Sequence, residues 1–189
     1  MRIYGNRLLK TLSGNDTRPT SSKVRMALFN IWQGKIADCH WLDLCAGSGA
    51  MGAEALCRDA ALVVGIDRSP HAGKIIRDNW QKVAKSTQTH RIIIGNLPNC
   101  LTLLTGETFD RIYFDPPYAS DLYQPVLETI VACNLLRSDG EIAVEHNPKL
   151  WQAIPISGLE IYRKKSYGNT NLTFYQKSNY TNDCTNSNE

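Results

Sequence analysis

Trp41-Leu42-Asp43-Leu44-Cys45-Ala46-Gly47-Ser48-Gly49-Ala50-Met51-Gly52 runs a short apolar strand into a glycine loop and then into a helix. Gly47, Gly49 and Gly52 form a G-x-G-x-x-G pattern. Glycine permits the tight turn and lets the backbone approach a ligand closely, and the helix that follows presents N–H groups with no partner inside the helix. Taken alone the pattern is weak, because nicotinamide and flavin sites use the same spacing. Asp43 separates the possibilities. A carboxylate aimed at this loop repels the pyrophosphate of a dinucleotide and suits a ligand that carries ammonium and sulfonium charges, such as S-adenosylmethionine.

Outward from the loop, short apolar runs alternate with longer helical patterns, as parallel βαβ units require. Strands are predicted near 41–45, 61–66, 90–94, 109–114 and 140–145, with helices at about 49–58, 71–84, 97–104 and 121–136 between them. Beyond Pro155, the runs Leu159 to Lys164 and Asn171 to Gln176 flank the turn signal Gly168-Asn169, which predicts an antiparallel pair added to the sheet edge. Upstream, residues 2–12 read as one strand or a hairpin. A polar loop leads to Arg18-Pro19-Thr20, and Val24, Ala27, Leu28 and Ile31 then recur at helical spacing, with Thr20, Ser21 or Ser22 available as N-cap. The division is a basic N-terminal extension and helix over 1–35, one α/β domain over 36–176, and a polar tail over 177–189 expected to be disordered.

With 189 residues, 42% of them apolar, the chain can close one sizeable core. Six cysteines occur with no C-x-x-C pair, and the four histidines form no ligand-spaced cluster with them, so neither a metal site nor a disulfide framework is expected. No apolar run approaches the roughly 20 residues that span a bilayer, and the start has no apolar signal region. The expectation is a cytoplasmic protein away from membranes, monomeric for lack of any sign of an obligate dimer. Net charge is +3, but residues 1–35 carry +6, from Arg2, Arg7, Lys10, Arg18, Lys23, Arg25 and Lys35 against Asp16 alone. Such a segment attracts phosphate, or is simply a solvated basic arm; charge alone favours neither.

Further residues fall at strand ends. Asp67 closes Leu62-Val63-Val64-Gly65-Ile66, where a carboxylate can accept hydrogen bonds from both ribose hydroxyls. Asn96 follows the third strand and either reads an adenine edge or caps a helix. The fourth strand delivers Asp115-Pro116-Pro117-Tyr118. An exocyclic amine on a base is a poor nucleophile, because its lone pair is delocalised into the ring. Acceptors beside it, the Asp115 carboxylate and the Pro116 carbonyl, would hold its N–H bonds and stabilise the positive charge that develops during methyl transfer. The prolines make the turn rigid and poor in donors, and Tyr118 offers a face on which a flipped-out base can stack. The plain alternative is a Pro-Pro turn that ends a strand.

With these pieces in order, the chain resembles the RsmD-type family of bacterial 16S ribosomal RNA guanine-N2 methyltransferases. The words that carry the resemblance are Met1-Arg2-Ile3, Arg18-Pro19-Thr20, Val24-Arg25, Leu28-Phe29-Asn30, Leu42 to Gly49, Asp115 to Tyr118, and Tyr167-Gly168-Asn169-Thr170 with Leu172 and Tyr175. The resemblance implies a Rossmann-like class I S-adenosylmethionine-dependent methyltransferase fold. Its sheet would be seven-stranded and mostly parallel, with helices on both faces and a short N-terminal basic extension. It also implies S-adenosylmethionine as methyl donor and a guanine in 16S rRNA, within the small ribosomal subunit or its precursor, as acceptor. By analogy Asp43 and Gly47 meet the methionine end of the cofactor and Asp67 its ribose; Ala46, Ser48, Gly49 and Asn96 complete the candidate cofactor-binding residues. Asp115 with Tyr118 receives the guanine, Pro116 and Pro117 completing the candidate catalytic tetrad, and Arg2, Arg7, Lys10 and Arg18 are candidate phosphate contacts. The basic hairpin is abbreviated relative to the family, and Met26 stands where a glutamate is common. Glu145 is family-like, with no role assigned beyond capping or lining the cleft, and His146 is read as an ordinary loop histidine.

Rival readings are amino-methylation of adenine N6 in DNA or RNA or of a protein glutamine, a nicotinamide-dependent oxidoreductase, and a nucleic-acid binder without catalysis. Asp43 and the lack of a second substrate domain oppose the oxidoreductase, and the Asp115 tetrad opposes the pure binder.

Overall fold

The computed structural model describes residues 1–12 and 22–178. Arg18, the candidate caps Thr20 and Ser21, and the tail from residue 179 onward lie outside the described residues. The chain opens with an antiparallel hairpin, β1 (Arg2–Ile3) and β2 (Arg7–Leu8), around a 3-10 turn. Next come α1 (Ser22–Ile31), β3 (His40–Leu44), α2 (Ala50–Cys57), β4 (Leu62–Asp67), α3 (Pro70–Val83) and β5 (Thr89–Ile94). After a 3-10 turn over Asn99–Leu104, the rest is β6 (Phe109–Phe114), α4 (Tyr123–Ala132), β7 (Leu136–His146), β8 (Leu159–Tyr167) and β9 (Thr170–Lys177).

The main sheet has seven strands in the order β5-β4-β3-β6-β7-β9-β8. Pairings from β5 across to β7 are parallel, and β9 runs antiparallel to both β7 and β8. Several elements differ from the sequence expectation, among them β8, which runs on past Lys164 to Tyr167. The helix expected at 97–104 is only a 3-10 turn. Helix α4 is two residues shorter at its start and stops at Ala132, with Asn134 at φ +51° turning the chain into the next strand. Strand β7 begins at Leu136, because Leu136 pairs with Phe109 ahead of an irregularity in the β6–β7 ladder. Lys177, assigned to the tail, is the last residue of β9 and pairs with Leu159.

Successive residues of a strand face opposite sides of the sheet, and in a parallel sheet both sides must be covered. Trp41 therefore packs on one face with Phe29, Trp32 and Trp80, and Leu42 on the other with Phe114, Leu127 and Ile130. Helix α3 illustrates how the sequence sets this up. Ser69 caps it, its Oγ accepting the Ala72 N–H at 3.3 Å, and Pro70 occupies the first position, where a missing N–H costs nothing. Ala72, Ile76, Trp80 and Val83 recur every three or four residues and form the buried stripe. The β8–β9 hairpin turns through Gly168 (φ +65°) and Asn169 between the paired Tyr167 and Thr170, as Gly-Asn predicts.

Candidate active site

The parallel strands β3, β4, β6 and β7 end along one edge, and the chain leaves β3 for β4 on one side and returns to β6 on the other. Such a reversal opens a crevice at the carboxyl ends of the strands. Backbone bonds extend the ladders into the loops there. Asp115 N–H meets Leu44 O at 3.4 Å, Ala46 N–H meets Ile66 O at 3.0 Å, and Gly95 N–H meets Asp67 O at 3.0 Å. The glycine loop, Asp67, Asn96 and the Asp115 tetrad are thus brought to one rim.

The loop is wound by residues at positive φ: Cys45 (+61°), Gly47 (+58°) and Gly49 (+71°). For Cys45 this is an uncommon conformation that the surrounding bonds must hold. Gly47 N–H donates to Asp67 Oδ2 at 2.8 Å, and Ser69 N–H donates to Asp67 Oδ1 at 2.8 Å. Asp67 therefore ties the loop to the start of α3, and each oxygen keeps a second lone pair for a hydroxyl. Asp43 is 1% exposed and lies beneath the loop, its Oδ2 accepting the Gly52 N–H at 2.9 Å. Burial raises its pKa to about 8, against the pull of the Gly52 N–H and with a further push from Asp67.

Trp80 explains the third glycine. A Cβ on Gly49, Gly52 or Gly65 would lie 2.7, 2.3 or 2.6 Å from its indole. The ring packs flush against loop, helix α2 and strand β4 at once, and its Nε1 donates to Gly49 O at 2.7 Å. Its neighbour Asn79 donates Nδ2 to Ser48 O at 2.9 Å. Neither residue carries a local sequence signal of such a role, since only the packing of α3 places them under the loop.

Asn96 is exposed on the rim. It does not cap a helix through its side chain: the 3-10 turn begins after Pro98 with no side-chain cap, and Asn96 contributes its carbonyl to Cys100 N–H at 3.1 Å. In the tetrad, Asp115 and Tyr118 are half-buried, Pro116 is buried and Pro117 exposed. The Tyr118 hydroxyl donates to Glu145 Oε1 at 3.1 Å and meets Thr170 Oγ1 at 3.1 Å. Tyr113 donates to the other Glu145 oxygen at 2.5 Å. Glu145, without a role from sequence, is thus a 3% exposed anchor that fixes Tyr118. His146 is not a loop residue: it ends β7, 2% exposed, and bonds Thr173 Oγ1 at 2.9 Å and Trp151 O at 3.1 Å, and burial lowers its pKa.

The rim is acidic. Burial pushes up the Cys45 thiol, and Asp115, Asp67 and Asp43 each add to that push. Burial raises Tyr118 to about 12, with Glu145 and Asp115 contributing in the same direction. Such a field attracts a sulfonium or ammonium group and repels pyrophosphate.

The basic arm is less charged than its composition suggests. Arg25 is 3% exposed and paired with Glu54 at 2.7 Å, and Lys35 is paired with Glu141 at 2.6 Å. Arg2, Arg7 and Lys10 are exposed. Arg2 bonds Asn6 Oδ1 at 2.8 Å, Arg7 the Tyr4 carbonyl at 3.4 Å, and Lys10 pairs with Asp78 at 2.8 Å.

Among known proteins, a family model described as Conserved hypothetical protein 95 matches residues 1–176. A Bacillus subtilis protein provisionally named rRNA methyltransferase YlbH is 32% identical over 173 residues, covering 90% of this chain and 94% of its own. The Haemophilus influenzae protein named Ribosomal RNA small subunit methyltransferase D is 26% identical, covering 92% and 90%. This chain belongs to the RsmD-type family. Among solved structures, the Escherichia coli protein provisionally named methyltransferase yhhF superposes with a TM-score of 0.80 at 26% identity, covering 94% of this chain and 97% of that one. The class I methyltransferase fold expected for an RsmD-type chain is the fold observed, and the match covers every described strand except the last residue of β9. No helix among the described residues is long and apolar enough to cross a membrane.

Proposed function

We propose that this RsmD-type protein methylates the exocyclic N2 amine of a guanine in small-subunit ribosomal RNA, with S-adenosylmethionine as donor. The observation that carries the reading is Asp115. It leaves β6 beside the end of β3 and stands across the switch point from the glycine loop, next to a tyrosine whose hydroxyl is tied down. The relatives named for ribosomal RNA methylation support the acceptor.

The residues present fit the cofactor. A loop with two left-handed glycines, a half-buried Asp67 with lone pairs to spare and an acidic rim suit a nucleoside joined to a sulfonium and an ammonium. Asp43, Ala46, Gly47, Ser48 and Gly49 would hold its methionine end, Asp67 its ribose and Asn96 its adenine. When bound, the cofactor supplies an electrophilic methyl group. The chain supplies position and acceptors. Asp115 and the Pro116 carbonyl accept the amine N–H bonds, which orients the nitrogen lone pair and stabilises the charge it gains, and Asp115 can take the proton released. Tyr118, held at its hydroxyl, keeps its ring in a fixed place against the base. A ribosomal RNA acceptor places the reaction in the cytoplasm.

The test is transfer from labelled S-adenosylmethionine to small ribosomal subunits, or their RNA, from cells lacking this gene, followed by nucleoside analysis. N2-methylguanosine is expected, absent with Asp115→Ala while RNA binding persists. Labelled N6-methyladenosine or labelled protein would overturn the acceptor.

A further inference from the structure

Asn79 is a buried polar residue that the chemistry above does not use, and its side chain makes three hydrogen bonds to backbone groups. Its side chain lies on α3 and is 1% exposed. Oδ1 accepts the Lys10 N–H at 2.9 Å and Nδ2 donates to the Lys10 carbonyl at 3.0 Å, so the amide grips both polar groups of one arm residue as a neighbouring strand would. The same Nδ2 donates to Ser48 O in the glycine loop at 2.9 Å. One planar group therefore joins two segments that are otherwise remote, 69 residues apart on one side and 31 on the other. Two further contacts fasten the arm to the same helix, Lys82 Nζ on Leu8 O at 2.9 Å and Lys10 on Asp78 at 2.8 Å.

We propose that Asn79 is a positioning residue that couples the N-terminal arm to the cofactor loop, so that seating the arm favours cofactor binding and bound cofactor steadies the arm. The proposal rests on the reading of the loop as the S-adenosylmethionine site. When the arm lifts from α3, Asn79 loses both bonds to Lys10. Its amide is then free to rotate, and the Ser48 carbonyl loses a fixed donor. Because the amide is rigid and planar, a bond at one of its ends sets the direction of those at the other. Coupling between two sites is reciprocal in free energy, so the effect must be readable from either side. An arm that carries Arg2, Arg7 and Lys10 would in this way report the presence of bound nucleic acid to the cofactor loop.

The test uses the full-length protein and S-adenosylhomocysteine, with hydrogen exchange and binding as readouts in place of turnover. In the unaltered protein, S-adenosylhomocysteine should slow exchange over residues 43–52 and also over residues 7–12, the latter by about fivefold. Lys10→Pro removes the arm N–H that Asn79 accepts and, with it, the side-chain ion pair to Asp78, while changing no residue of α3 or the loop. It should weaken S-adenosylhomocysteine binding several-fold and abolish the protection of residues 7–12, as should Asn79→Ala. Asp78→Asn removes only the exposed Lys10–Asp78 ion pair, which contributes little to holding the arm, and should leave S-adenosylhomocysteine affinity nearly unchanged; it is the control for the ion pair that Lys10→Pro also loses. Protection of 43–52 without 7–12 overturns the coupling and leaves the cofactor site standing; protection of neither overturns both. Unchanged S-adenosylhomocysteine affinity in Lys10→Pro overturns the coupling even if Asn79→Ala fails to fold.

Discussion

The Tyr118 hydroxyl lies 3.1 Å from Thr170 Oγ1, joining the Asp-Pro-Pro-Tyr loop to the first residue of the last strand across 52 positions of sequence. Tyr118 is fixed at its far end by Thr170 and Glu145, so its ring direction is set by β7 and β9, outside its own loop. Thr170→Val and Tyr118→Phe should each lower kcat about tenfold, the range for a misplaced reacting group being up to about a hundredfold. Cofactor affinity should stay as it was. The double variant should be no slower than Tyr118→Phe, because both changes remove the same bond. Additive losses in steady-state kinetics would mean that Thr170 acts elsewhere.

Asp43 gives the protein a pH dependence of known sign. In the folded chain its pKa is raised to about 8, whereas in the unfolded chain it is about 3.9. The folded state therefore holds a proton that the unfolded state has lost, and stability falls as pH rises from about 4 toward about 8. A cationic ligand over the loop favours the ionised carboxylate, so S-adenosylmethionine binding should release a proton and tighten with pH across the upper part of that window. Calorimetry in two buffers of different ionisation enthalpy measures the release, and Asp43→Asn should abolish it.

Arg25 should be a stability residue and not an RNA contact. Its guanidinium holds Glu54 at 2.7 Å and the Arg2 carbonyl at 2.7 Å, and Glu54 also meets Arg58 at 3.0 Å. Arg25→Met keeps the apolar stem but leaves a buried carboxylate short of a partner, which should cost about 3 kcal/mol, the low end for such a break because Arg58 remains. Thermal unfolding reads the loss. An intact midpoint with weakened RNA binding would reverse the assignment.

Arg2 and Arg7 are exposed on the hairpin, the Arg2 side chain bonded to Asn6 and that of Arg7 to the Tyr4 carbonyl and Cys57, and neither is paired with a carboxylate among the described residues, which makes them the cations best placed for phosphate. Replacing either by alanine should weaken RNA binding without regard to sequence and flatten the slope of log K against log salt by about 0.7–0.9. Titration at several salt concentrations checks it, and an unchanged slope would remove that residue from the interface.

The sequence by itself determined the class of fold, the glycine loop and the tetrad. These are local matters: a strand, a turn that needs glycine and a helix follow one another within a dozen residues, and Asp115-Pro116-Pro117-Tyr118 is contiguous. Periodicity likewise sufficed for the seven strands and for the closing hairpin around Gly168-Asn169. Tertiary structure decided the rest. Which carboxylates act together depends on strand order, which brings Asp43, Asp67 and Asp115 to one rim from three strand ends. Whether a charged residue is solvated or spent depends on what packs above it. Arg25 and Arg2 look alike in the sequence, yet one is buried against Glu54 and the other is exposed. The roles that Asn79, Trp80 and Glu145 play had no signal in the sequence because their partners are backbone or distant side chains. Hydrogen bonds and close packing of that kind exist only once the helices have been laid on the sheet.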